Sequence, residues 1–138
     1  LTISKEKNIF ILDDDQDLKS IYKDMLESFG YTVDIFNNYS DAKKAVEEKS
    51  VDYWGIYIID LKIPLDKNDT SYNDECFYGF HFIEEYLPLE KTIIISGYSS
   101  PEINNAILSM GPLMSFTKPL SFLNLIILIN AIFKYYIK

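Results

Sequence analysis

The chain has 138 residues, is 48% hydrophobic and 25% charged, and carries a formal net charge of -8, which suits one domain with a single core and leaves no room for two. The acidic balance excludes a surface built from clustered Lys and Arg to neutralise nucleic-acid phosphates. A lone cysteine, Cys76, excludes an internal disulfide, and with no thiol or His cluster for a structural metal the expected setting is the reducing cytoplasm.

Asn8 to Leu12 (NIFIL) is a continuous apolar run that stops at three acids, the pattern of a strand buried on both faces. From Gln16 to Phe29 the residues Leu18, Ile21, Tyr22, Met25, Leu26 and Phe29 recur at spacings of three and four before Gly30, which predicts an amphipathic helix. Thr32 to Phe36 (TVDIF) reads as a second strand, with Ser40 as N-cap of a short helix through Glu48. Ile56 to Ile59 (IYII) is a third buried strand ending at Asp60, Phe80 to Leu87 a helix, and Thr92 to Ile95 (TIII) a fourth strand. Pro101 opens a helix that closes at Gly111. Leu113 to Phe116 is a fifth strand and Phe122 to Tyr136 the last helix. The apolar run Leu120 to Phe133 is broken by Asn124 and Asn130 and is shorter than the roughly 18 residues of a membrane span, so a soluble helix is expected there. The chain begins at Leu1 without a signal-peptide pattern, as expected of an excised piece of something longer.

Short buried strands alternating with helices predict an α/β fold, a doubly wound five-stranded parallel sheet with right-handed crossovers. Ligands in such sheets bind at the carboxyl ends of the strands. The first strand ends in Asp13, Asp14 and Asp15, the third in Asp60, the fourth in Ser96, and the fifth in Thr117, Lys118 and Pro119. Carboxylates converging on one sheet edge repel unless a hard cation joins them, and Mg²⁺ prefers oxygen ligands. A carboxylate beside such a cation is a nucleophile towards phosphorus, with Lys118 and Ser96 placed for the phosphoryl oxygens.

These features resemble the response-regulator receiver family (CheY-like): ILDDD at the first strand, IIDLKIP around an acceptor, IIISG at the fourth strand and SFTKP at the fifth. The resemblance runs from about Asn8 to the C-terminus, so it implies a flavodoxin-like (βα)5 receiver domain over 1–138, with a core at about 8–137. It implies that Asp60 accepts a phosphoryl group from the phosphohistidine of a sensor histidine kinase or phosphotransfer protein. Asp14 then matches the direct Mg²⁺ (or Mn²⁺) ligand, Asp13 its partner through water, and the Lys62 backbone carbonyl a further ligand. Ser96 and Lys118 match the hydroxyl and the lysine that engage the phosphoryl group, Pro119 the cis proline, and Phe116 the aromatic switch that turns inward with Ser96. The expected readout is the surface of the fourth helix, fifth strand and fifth helix. Such a domain is not an enzyme beyond catalysing its own phosphorylation and dephosphorylation.

Departures also show. A polar insertion at about 65–78 separates Pro64 from Gly79, where family members place a glycine sooner; it reads as a solvated loop. Lys62 and Tyr98 occupy the positions that tune hydrolysis, and their bulk predicts slow autodephosphorylation. The last helix has no charge from Ser121 to Phe133, which predicts burial against a second copy or a neighbouring domain. His81 and Cys76 read as ordinary helix and loop residues. Two other functions compete: a receiver-like module that binds without phosphorylation, and a phosphohydrolase of the haloacid dehalogenase type. The second needs Asp-x-Asp-x-Thr or Val, where Asp13 and Asp15 fit but Asp17 holds the last position.

Overall fold

The computed structural model describes residues 7–69, 77–97, 99–119 and 121–135. Cys76 and Tyr98 lie outside the described residues. Strands β1 (Asn8–Leu12), β2 (Thr32–Phe36), β3 (Ile56–Ile59), β4 (Thr92–Ser96) and β5 (Met114–Thr117) alternate with helices α1 (Gln16–Ser28), α2 (Tyr39–Lys49), α3 (Tyr78–Tyr86), α4 (Pro101–Met110) and α5 (Phe122–Tyr135). Every strand pair is parallel and the sheet order is β2-β1-β3-β4-β5. The direction of winding reverses between β1 and β3, so a crevice opens beyond their carboxyl ends.

Alternation along the strands divides the core into two layers. Ile9, Ile11, Ile58, Ile93 and Ile95 meet Tyr22 and Leu26 of α1 and Leu125, Ile129 and Ile132 of α5. On the other face Phe10, Leu12, Tyr57, Ile59 and Ile94 meet Ala42 and Val46 of α2 and Phe82 and Ile83 of α3. Phe10 is the hub of this second layer, with Phe36, Trp54, Tyr57 and Phe82 at ring-centroid distances of 4.7, 4.9, 5.2 and 5.6 Å. The ring contacts add directional energy to the buried area of this layer.

Helix ends follow local side chains. Asp15 caps α1 through the N–H groups of Asp17 and Leu18. The α2 cap is Asn38 rather than Ser40: its Oδ1 accepts the Asp41 N–H at 2.8 Å, while the Ser40 hydroxyl donates to the Leu65 carbonyl at 3.0 Å. Ser100 caps α4, and Gly111 at φ 72° ends it in the left-handed region that favours glycine. Helix α3 starts two residues before the expected Phe80, because a bridge between Ile63 and Phe77 delivers the chain there. Strand β5 starts at Met114 rather than Leu113, whose N–H is taken by the carbonyls of Leu89 and Thr92.

Candidate phosphoacceptor site

The ladder places the acids. Asp60 N–H donates to Leu12 O at 2.8 Å and Asp13 N–H to Phe36 O at 3.0 Å, so both residues extend the sheet by one step at the winding reversal. Asp13 and Asp60 are 3% and 7% exposed, and one carboxylate oxygen from each of Asp13, Asp14 and Asp60 lies within 4.8 Å of the others.

Lys118 reaches this cluster from the end of β5. Its Nζ donates to Asp13 Oδ2 and to Asp60 Oδ2, each at 3.0 Å. The Lys118 backbone N–H donates to Ser96 O at 2.8 Å, which ties the end of β5 to the end of β4. The Lys118–Pro119 bond is cis. Ser96 is buried, one residue past the level of Asp60 on the neighbouring strand, since Ile59 pairs with Ile94. The Lys62 backbone also lies at the site, its N–H donating to Asp60 Oδ1 at 3.2 Å.

Burial first, and then the charge of Asp13, push the Asp60 carboxyl up to about 6. Asp14 is raised for the same two reasons. For Lys118, burial pulls the ammonium down, but Asp60 and Asp13 outweigh it and hold the group above its ordinary range. Three acids share one lysine in a buried setting, so negative charge is in excess; an all-oxygen donor set of this kind fits a hard divalent cation such as Mg²⁺ or Mn²⁺.

Phe116 does not share the face of Ser96 that its expected switch role requires. It registers with Ile95 and packs on the layer shared by α1 and α5, whereas Ser96 alternates with Ile95 and shares the face of Ile94. The period of two along β5 therefore puts Ser115 and Thr117, not Phe116, on Ser96's side of the sheet. Asp15 is spoken for as the α1 cap, and Asp60 replaces it beside Asp13, which is not the arrangement that the dehalogenase reading requires.

The contacts of two neighbours of the site were not legible in the chain. Gly79 sits against Asp60: its N–H donates to Leu61 O at 3.1 Å, and a Cβ there would fall 1.9 Å from Asp60 O. The intervening polar stretch hid this in the sequence. Tyr22 of α1 is buried against Phe122. Its hydroxyl is pushed up to about 12, by burial first and then by the charge of Asp13, so it stands within the field of the cluster. In the sequence it is one more residue of the apolar stripe.

No family model matches the chain. It is similar to the C4-dicarboxylate transport transcriptional regulatory protein DctD of Rhizobium meliloti (strain 1021), 34% identical over 62 residues. That match takes in 45% of this chain and only 13% of DctD. It is similar in structure to a response regulator receiver domain protein (CheY-like) from Methanospirillum hungatei JF-1, at TM-score 0.74 and 24% identity over 93% of this chain and 94% of that one. The chain has the receiver fold. A response regulator from Burkholderia pseudomallei, seen with a phosphorylated aspartic acid, calcium ion and citrate, shares this receiver fold at TM-score 0.65 and 16% identity over 93% of this chain and 69% of that one.

Proposed function

We propose that this receiver fold is the phosphoacceptor of a two-component phosphorelay in the cytoplasm, with Asp60 taking a phosphoryl group from the phosphohistidine of a sensor kinase or phosphotransfer protein. The observation that carries this reading is Lys118 held 3.0 Å from both Asp13 and Asp60, beside Asp14, at the winding reversal of the sheet.

Asp13, Asp14, Asp60 and the Lys62 backbone carbonyl would hold Mg²⁺ or Mn²⁺. Such a cation, when bound, offsets the repulsion between carboxylate and phosphate and polarises the transferring oxygens. Asp60 Oδ attacks phosphorus, the N–P bond of the donor breaks, and an aspartyl phosphate forms while the imidazole leaves. Lys62 N–H and Lys118 hold the two Asp60 oxygens beforehand, so little reorientation precedes attack. The new group brings about -1.5 to -2 of charge and three acceptors. Lys118 then pairs with a phosphoryl oxygen, and the Ser96 hydroxyl donates to another. Since Lys118 is bonded through its backbone to Ser96, their shift moves the ends of β4 and β5 together and changes the surface of α4, β5 and α5. Lys62 is half-buried beside the acceptor, and its side chain slows water attack on the aspartyl phosphate.

Incubation with acetyl phosphate and Mg²⁺ tests the reading by intact mass. Wild type gains one phosphoryl group, Asp60→Asn gains none, and Lys62→Ala shortens the lifetime of the adduct. Wild type unchanged, like Asp60→Asn, favours a passive module; steady turnover of a phosphomonoester favours a hydrolase. On α5, Leu123 and Ile127 are 65% and 59% exposed, which supports burial against a second copy or a neighbouring domain. Leu123→Glu with Ile127→Glu is expected to abolish any concentration-dependent sedimentation.

A further inference from the structure

Helix α4 is poorly seated. None of its ten residues is buried, although Ile103, Ile107 and Met110 turn towards the second core layer. A groove of about 530 Å³ runs between it and α3, floored by Phe80, Ile83 and Leu87 on one side and Ala106 and Met110 on the other. A second hollow of about 160 Å³ shares Phe80 and Ala106 and continues to Leu61, the residue after the acceptor.

The floor is apolar but the rim is acidic. Glu84 lines the larger hollow and Glu102 the smaller; both are exposed and neither has an ion-pair partner among the described residues. From Phe80 to Leu87 the groove follows about 10 Å of helix at the usual rise. That length takes apolar anchors at i, i+3 or i+4, and i+7 of a docked helix. The two carboxylates, on a chain of net charge -8, call for Lys or Arg flanking those anchors and repel an acidic peptide or an anionic lipid surface.

We propose that the α3–α4 groove is a docking site for a basic amphipathic helix of a partner protein. The larger hollow is lined by none of Asp13, Asp14, Asp60 and Lys118 and by no residue of α5, so the proposal stands whether or not the phosphorelay reading does.

The test uses the full chain and a labelled synthetic helix with Leu at i, i+3 and i+7 and Lys on its flanks. Amide shifts should concentrate at Ile83, Ala106 and Met110. Ala106→Phe, which fills the groove, should weaken binding at least about tenfold with an unchanged circular dichroism spectrum. Glu84→Lys with Glu102→Lys should weaken it similarly and remove its salt dependence. Shifts elsewhere, unchanged affinity in Ala106→Phe, or equal affinity for a Glu-flanked peptide would overturn the proposal. So would a quaternary ammonium salt binding as tightly as the peptide, or the same shifts appearing on concentrating the chain alone, which would give the groove to a small cation or to a second copy.

Discussion

Asp60 sits 7% exposed beside a second buried carboxylate, and its proton is held to about pH 6 against an ordinary 3.8. Without a cation, the folded domain therefore binds this proton more tightly than the unfolded chain does. Stability falls as pH rises from about 4 to 6, and the penalty is complete above that window. Two pH units correspond to about 3 kcal/mol. Lys118 has the opposite sign: its raised value contributes stability that is fully present below 10.5 and is lost only at higher pH. Asp60→Asn should accordingly stabilise the cation-free domain by about 1–3 kcal/mol at pH 7 and by little at pH 4, as urea unfolding at both values will measure. Gly79 is the second critical residue. Gly79→Ala must displace the Asp60 backbone, since the new Cβ would meet its carbonyl oxygen, so a loss of about 1–3 kcal/mol should come with weaker Mg²⁺ binding by calorimetry.

Elements show where short-range signals compete. Ser40 and Asn38 both have N-cap chemistry, and the tertiary structure chooses Asn38 because the segment at Pro64 and Leu65 packs on the start of α2 and takes the N–H groups of Tyr39 and Ser40. Asn38 is 3% exposed, and its Nδ2 also donates to Asp41 at 3.0 Å. Asn38→Ala should cost about 1–2 kcal/mol, seen as a lower denaturant midpoint, while Ser40→Ala costs less. Strand β5 carries a similar lesson. Its residue types announce a short apolar strand, but which face Phe116 takes depends on pairing with β4, and one step of register reverses it.

Over the whole molecule, binding of a cation to the folded state alone adds stability by mass action, about 2.7 kcal/mol at one hundred times Kd. Mg²⁺ should raise the melting temperature of wild type, and Asp14→Asn should abolish most of that rise in a thermal scan. The sequence by itself determined the strands β1, β3 and β4, the α/β alternation and the line of acids and lysine at strand ends, because continuous buried runs and their abrupt polar ends are local features. It also marked Asp13, Asp14, Asp60, Ser96 and Lys118, since the carboxyl ends of parallel strands share one edge wherever the strands fall in the sheet. Only the tertiary structure decided that Lys118 bridges Asp13 and Asp60, that Gly79 lies against the Asp60 backbone, that Phe116 faces away from Ser96, and that α4 leaves a groove. Each of these depends on contacts between segments far apart in the chain, whose distances follow from strand register and helix seating rather than from any local pattern.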